Sequence, residues 1–310
     1  MNTPVIEVSN VRKEYKGFTA VDGINFTVYS GDVFGFLGPN GAGKSTTIRM
    51  LTSLIHPTSG SIKLFGKDLS THREEILANV GAIVERPDMY LYLSAIMNLE
   101  LVARMYGADS SKKHLMSILE MVGLAQRAES KVKTFSHGMK QRLGIACTLV
   151  HNPQLIILDE PTTGLDPQGM KDIRDIILHL SKDRGKTIFL SSHILPEIEL
   201  TANRMVIINR GKIVVEGEVK KLLNDDTVKL MVHCSSIETA TTIIAESNWN
   251  SFFVDVEDGA LRFDIPTVNV AGLNQYLVEH GIEVHSLVPT RSLEDYFLKC
   301  IEQAEVTNMK

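Results

Sequence analysis

The sequence predicts an α/β fold built on a mainly parallel sheet, followed by a smaller α+β module. Three observations carry that prediction. A glycine-rich turn at residues 38–43 lies between an apolar run and a helical segment. Apolar strands alternate with helical stretches up to about residue 220, the pattern of a parallel sheet covered by helices. Beyond that point the elements follow the order β-α-β-β-α-β, which is that of a ferredoxin-like module.

Residues 5–15 and 23–28 alternate apolar and polar side chains, as strands do. Residues 33–37, Val-Phe-Gly-Phe-Leu, are a short apolar run that suits a buried strand, and residues 45–53 suit the helix after the turn. Residues 61–65 and 80–85 are further strands. From about residue 92 to 150 the period becomes helical, with Leu115, Ile118, Leu119 and Val122 on one face. This stretch interrupts the α/β alternation and is expected to form a helical subdomain at about 90–150. Three apolar strands follow at 155–158, 187–191 and 205–208, the last turning at Asn209-Arg210-Gly211 into residues 213–215. The C-terminal module predicts strands at 227–233, 252–256, 261–265 and 282–288, with helices at 237–246 and 270–279. Asp258-Gly259 marks its tight turn. A last helix starts at Ser292, where Ser292 and Asp295 form a capping box, with Leu293, Tyr296, Phe297, Cys300 and Ile301 on its apolar face. The expected domains are residues 1–223 and 224–310.

The chain has 310 residues, 44% of them hydrophobic and 22% charged, as in a globular protein of two domains. No apolar run approaches the roughly 18 residues of a membrane helix. The N-terminus lacks the basic and apolar regions of a signal peptide. A cytoplasmic chain is expected, with any membrane role supplied by a partner. Cys147, Cys234 and Cys300 are far apart, so each is expected to be a small buried apolar residue and not a disulfide or zinc ligand. Residues 224–310 hold 5 Lys and Arg against 14 Asp and Glu, while the rest of the chain carries a small positive balance. An acidic segment of this kind argues against a nucleic-acid partner.

The motifs carry the chemistry. Residues 38–45 have the spacing G-x-x-x-x-G-K-S of a phosphate-binding loop. Glycines let backbone N–H groups turn inward around phosphate oxygens, and the helix N-terminus favours an anion. Gly38, Asn40, Gly41, Gly43, Lys44, Ser45 and Thr46 form the predicted cradle for a nucleoside triphosphate. Lys44 is expected on the β- and γ-phosphates and the Ser45 hydroxyl on Mg²⁺. The apolar run Leu155-Ile156-Ile157-Leu158 ends in Asp159 and Glu160. Asp159 is expected near Mg²⁺, and Glu160 as the general base that polarises the attacking water.

Phe135-Ser136-His137-Gly138-Met139-Lys140-Gln141-Arg142 follows upstream of Pro161-Thr162-Thr163-Gly164-Leu165-Asp166-Pro167. With these motifs in this order, residues 5–220 resemble the ATP-binding cassette family and imply its P-loop NTPase cassette fold. The resemblance implies that Ser136 and Gly138 contact the γ-phosphate of ATP held by a second copy, so the active form would be a homodimer. It places Asp166 in the loop that crosses between the copies and His193 as the switch histidine on the γ-phosphate. It places Tyr15 where an aromatic ring stacks on adenine, although a strand residue in the core reads equally well there. Two departures stand out. His137 replaces a usual glycine, with its side chain expected to turn away from the nucleotide, and Met139 replaces a usual Gln. Glu85 stands where the family usually has Gln, which touches Mg²⁺ and couples to the membrane subunit. A Glu in this loop resembles the bacitracin and lantibiotic-peptide exporters, and Arg86 is the expected offset for its charge. A neutral exchange at this position is the competing reading. The segment from Val288-Pro289 through Phe297 also resembles the tail module of export cassettes.

The reading that results is an ATPase subunit of a bacterial export transporter. It would dimerise on ATP, drive a separate membrane permease, and sit on the inner face of the membrane. The competing readings are a soluble cassette ATPase acting on the ribosome or DNA, and a membrane-coupled ATPase doing mechanical work on the cell envelope or in motility.

Overall fold

The computed structural model describes residues 3–223 and 227–290. They form two compact units, one running to Val219 and one from Lys220 onward.

The first unit opens with a long hairpin, β1 (Pro4–Tyr15) and β2 (Phe18–Tyr29), turning at Gly17 with φ of 77°. Then come β3 (Val33–Leu37), α1 (Lys44–Leu51), β4 (Ser59–Leu64), β5 (Lys67–Asp68), α2 (Arg73–Leu77) and β6 (Val80–Ile83). The helical stretch is α3 (Ala95–Tyr106), α4 (Lys112–Met121) and α5 (His137–Leu149). It is followed by β7 (Leu155–Asp159), α6 (Pro167–Lys182), β8 (Thr187–Ser192), α7 (Leu195–Thr201), β9 (Arg204–Asn209) and β10 (Lys212–Glu218).

These strands divide between two sheets. The larger has the order β10-β9-β3-β8-β7-β6, parallel except for β10 at its edge. The smaller is antiparallel, in the order β2-β1-β4-β5. Side-chain pattern explains the division. Every residue of β3, β7 and β8 is buried, which suits strands covered on both faces. β1 and β2 alternate between buried and exposed positions, which suits strands with one wet face. Phe26 of β2 joins the two sheets by packing on Phe34, Phe36 and Phe189, with ring centroids 5.7, 5.6 and 6.0 Å away. Each such pair is worth about 0.5–1.5 kcal/mol beyond simple burial. Behind this cluster Asp32, itself buried, accepts from Asn203 Nδ2 at 2.9 Å and pairs with Arg204 at 3.2 Å. That pairing satisfies a carboxylate that burial would otherwise penalise.

Consecutive neighbours β3, β8, β7 and β6 run parallel, so their carboxyl ends lie along one sheet edge. The chain leaves those ends at Gly38, His193, Glu160 and Val84, the residue before Glu85. Residues more than 100 apart in sequence are thereby gathered at the edge where open α/β sheets bind ligands.

α8 (Val219–Leu223) carries the chain into the second unit. That unit comprises β11 (Thr227–Cys234), α9 (Ile237–Ala245), β12 (Phe253–Glu257), β13 (Ala260–Pro266), α10 (Val270–Glu279) and β14 (Val284–Thr290). Its sheet is wholly antiparallel in the order β12-β13-β11-β14. Asp258 and Gly259 join β12 to β13 with φ of 48° and 75°, the two positive values a tight hairpin turn needs. Leu230, Val232, Ile244, Phe263 and Leu273 are fully buried in its core. The predicted helix from Ser292, including Cys300, lies outside the described residues. Cys147 and Cys234 are only partly buried, short of the full burial expected of them. Burial nonetheless pushes the Cys147 thiol up to about 12, so it stays protonated and inert at neutral pH.

The chain's single tryptophan, Trp249, belongs to this second unit. Its fluorescence therefore reports on that unit. Phe263→Ala removes a fully buried ring that meets Phe253 edge-on at 5.6 Å. It should destabilise the unit by about 3–5 kcal/mol. Urea unfolding followed at Trp249 checks this; an unchanged midpoint would refute the assigned core.

Candidate functional site

The phosphate loop is shaped by two glycines that no other residue could replace. A Cβ on Gly38 would lie 2.3 Å from the Ile208 carbonyl oxygen, and Gly43 has φ of 111° with its Cβ position 2.6 Å from the Ala20 carbonyl oxygen. The first turn of α1 contains no acidic residue and no side-chain cap, so its N–H groups are left to an anion. Lys44, only 5% exposed, folds back over the loop. Its Nζ donates to the Gly38 carbonyl at 2.8 Å and the Pro39 carbonyl at 3.2 Å, and it pairs with Glu160 Oε1 at 3.2 Å.

Glu160 is the hub of the site. It follows β7 with φ of 46°, a left-handed conformation that turns its side chain out of the sheet toward α1. Its Oε2 accepts from the Thr163 hydroxyl at 2.9 Å and faces His193 Nδ1 at 3.2 Å. Its backbone N–H donates to Ser191 Oγ at 3.0 Å. Burial pushes the carboxyl up, but the Thr163 hydroxyl, Lys44 and His193 outweigh it, so Glu160 sits below the usual carboxylate range. Asp159, 2% exposed, accepts from Ser191 Oγ at 2.6 Å, which fixes one of its oxygens.

Ser45, Glu85, Arg86, His137, Asp159 and Glu160 line one cleft of about 390 Å³. Among the described residues no group of three or more His, Cys, Asp or Glu could hold a metal unaided. What the cleft offers is a hydroxyl and two carboxylates besides Glu160, an all-oxygen set suited to a hard cation that takes its remaining ligands from phosphate or water. Glu85 has φ of 67° and pairs with Arg49, in the last turn of α1. The offset for its charge is thus Arg49, where the sequence suggested Arg86. The signal for Arg49 was available: it stands four residues after Ser45, on the same helix face.

None of the remaining predicted residues makes a hydrogen bond or ion pair with the Lys44 ammonium. Ser136 caps α5, its Oγ accepting from Met139 N at 3.2 Å, and is exposed. A Cβ on Gly138 would meet only Leu165 Cδ2, at 3.7 Å, so no close contact in this chain demands a glycine there. His137 lies along the 160–165 loop with Nε2 3.2 Å from the Thr163 carbonyl oxygen. It also lines the cleft. Asp166 caps α6 by accepting from Gly169 N at 2.9 Å, yet remains exposed. Tyr15, 44% exposed, ends β1 with Lys13 Nζ 5.3 Å from its ring centroid, which favours an available ring face over a core position. Asn40 and Gly41 are exposed on the loop, and Thr46 is half-buried in α1. Sequence reasoning did not single out Ser191, Arg49 or Glu197, whose roles come from partners distant in the chain, nor Thr163, whose hydroxyl reaches Glu160 three residues back.

A second hollow of about 510 Å³ lies between β6 and the helical stretch, lined by Leu54, Val84, Pro87, Met89, Val102 and Tyr106 among others. In the chain segment 90–105, Tyr90 is 68% exposed, Tyr92 77% and Met105 82%.

Comparison with known proteins is consistent with this geometry. Residues 21–163 match the ABC transporter family. The chain is 42% identical to the bacitracin transport ATP-binding protein BcrA of Bacillus licheniformis, over 96% of this chain and 97% of that protein. It is 43% identical to the lantibiotic transport ATP-binding protein SrtF of Streptococcus pyogenes, over 69% of this chain and 91% of that protein. Among solved structures, a dimeric ATP-binding cassette in a post-hydrolysis state with ADP and phosphate aligns with a TM-score of 0.63 at 25% identity. That alignment covers 69% of this chain and 98% of the other.

Proposed function

Since this chain belongs to the ABC transporter family as an ATP-binding subunit and hydrolyses ATP, we propose that it powers export of a peptide antibiotic through a separate membrane permease. The observation that carries the ATPase chemistry is the convergence of Lys44, Glu160 and His193 within 3.2 Å contacts at adjacent strand ends.

Gly38, Asn40, Gly41, Gly43 and Thr46 wrap the phosphates of ATP, and Lys44 moves from Glu160 and the loop carbonyls to the phosphate oxygens. Tyr15 stacks on adenine. Ser45, Asp159 and Glu85 fit as holders of Mg²⁺, which when bound neutralises charge on the β- and γ-phosphate oxygens. Glu160 accepts a proton from water as the water oxygen bonds to the γ-phosphorus. The bond to the β–γ bridging oxygen breaks, leaving ADP and inorganic phosphate. His193 contacts the γ-phosphate and holds Glu160 in position. Ser136, Gly138 and Asp166 serve a second copy of the chain. The dimeric relative supports this arrangement, as does the exposure of Ser136 and Asp166 while each caps its own helix.

Export rests on the two antibiotic-transport relatives and on Glu85. No helix among the described residues is long and apolar enough to cross a membrane; in this reading a separate permease supplies the path for the antibiotic. The 510 Å³ hollow, with exposed Leu54 and Tyr106 in its lining, and the exposed Tyr90, Tyr92 and Met105 suit docking of that partner on the inner face of the membrane. The acidic balance of residues 224–310 and these relatives disfavour a ribosome- or DNA-acting ATPase, and they favour transport over envelope or motility mechanics.

Tyr92→Asp tests the docking surface. Loss of an exposed aromatic anchor should weaken binding to the permease by about 30-fold, the equivalent of roughly 2 kcal/mol, with basal ATP turnover unchanged. Co-purification of the tagged chain with its membrane partner measures this. Undiminished recovery, extended to Tyr90→Asp and Met105→Asp, would place the interface elsewhere.

A further inference from the structure

The loop between Glu160 and Asp166 is tied at both of its threonines. The Thr163 hydroxyl donates to Glu160 Oε2 at 2.9 Å. The neighbouring Thr162 hydroxyl, 8% exposed, donates to Glu197 Oε2. Glu197 lies in α7, one turn after His193, and His193 Nδ1 faces Glu160 Oε2 at 3.2 Å. A closed ring results: Glu160, Thr163, Thr162, Glu197, the turn of α7, His193 and back to Glu160.

α7 itself has little freedom. Ile198 is fully buried, and a Cβ on Gly35 of β3 would lie 2.6 Å from Ile198 Cγ2. The absent side chain of Gly35 lets α7 press against the strand that leads into the phosphate loop. Ser192 Oγ accepts from Ile194 N at 2.9 Å, holding the entry to the helix. His193 and Glu197 thus leave a rigid base, while the 160–166 loop is held to that base through Thr162.

Glu197 is also costly to keep. Its Oε1 is buried without a hydrogen-bond partner among the described residues. A buried carboxylate oxygen without a donor opposes folding, so fold stability alone does not account for Glu197.

We propose that Glu197 is a positioning residue that, through Thr162, sets the geometry of the Glu160–Asp166 loop against His193 during ATP turnover. Glu197 is not among the residues that line the cleft. It acts by holding Glu160, His193 and the loop bearing Asp166 in one mutual arrangement. The inference rests on the ATPase reading, which wild-type turnover in the same assay tests separately.

The test measures kcat and KM for ATP in the full chain and in Glu197→Ala, Glu197→Gln, Thr162→Val and the double variant Thr162→Val/Glu197→Ala. Glu197→Ala and Thr162→Val should each lower kcat by about 10- to 100-fold, the scale of a small misplacement of reacting groups. KM should stay within about threefold, since uniform binding is untouched. The double variant should lose no more than the worse single one, because both cut the same link. Glu197→Gln keeps an oxygen for the Thr162 hydroxyl and should recover most of the activity. Thermal midpoints should hold within about 3 °C, as the removed carboxylate carries a buried oxygen without a donor. Wild-type kcat in Glu197→Ala, multiplicative losses in the double variant, or a Gln variant as impaired as Ala would each overturn the proposal.

Discussion

Lys44→Ala is expected to abolish ATP turnover, by at least about 10²–10³-fold, the scale set by removing one preorganised donor from a developing anion. The structure explains why no neighbour would substitute. Lys44 is almost wholly buried, and its ammonium is pinned by two carbonyls of its own loop and by Glu160. Arg49 is committed to Glu85 from the far end of α1. Arg86 lines the cleft, but no contact places it on the phosphate loop. Removing Lys44 also strips Glu160 of an opposing charge, so its carboxyl would rise toward the ordinary range. The variant should therefore lose the phosphate contact and disturb the base together. Turnover and nucleotide affinity, measured side by side, check this. Retained affinity with wild-type kcat would remove Lys44 from the mechanism.

Glu160→Gln is expected to separate binding from hydrolysis. The amide is nearly isosteric and keeps an oxygen for the Thr163 hydroxyl, so the loop should hold its shape. It cannot take a proton from water, and kcat should fall by about 10²–10⁴-fold. ATP should then persist between two copies, and a dimer should accumulate on size-exclusion chromatography with ATP but not with ADP. Titration gives a second check. The folded-state pKa of Glu160 lies below its ordinary value, so the group is ionised at neutral pH and its favourable contacts are present above the unfolded carboxylate pKa. Those contacts are lost only as pH falls through the depressed folded value. The acid limb of kcat/KM in the wild-type chain should fall below the usual Glu range. The residual activity of Glu160→Gln should lack that limb. Wild-type turnover in the variant would transfer the base role to another group.

Much of the first unit was legible because its signals are local. The phosphate loop, the Asp159-Glu160 pair and the 136–142 segment each lie within a few residues, and each announces one turn and one strand or helix end. Other elements were less legible for identifiable reasons. β2 begins at Phe18, five residues before its predicted start, because register shifts between Val11 and Lys13 break the two-residue period that reveals a strand. α6 (Pro167–Lys182) lies outside the predicted elements, though its signal is local: Asp166 caps it, Pro167 begins it, and Ile173, Ile176, Ile177 and Leu180 are its buried stripe. The separation of β1, β2 and β4 into their own antiparallel sheet follows from one-faced against two-faced burial, yet it becomes definite only when the sheets pack through Phe26.

By itself the sequence determined the local parts of this protein: a glycine-rich phosphate loop before a helix, a strand-end carboxylate pair and a C-terminal β-α-β-β-α-β module. These are properties of short segments, set by glycine conformation, side-chain period and capping, and a chain carries them wherever it folds. Tertiary structure alone decided which parts meet. Lys44 on Glu160, His193 on Glu160, Arg49 on Glu85 and Thr162 on Glu197 are pairings between residues 33 or more apart. No local rule specifies them. They follow from the order in which parallel strands lie side by side, and that order is chosen by burial of both sheet faces over the whole unit.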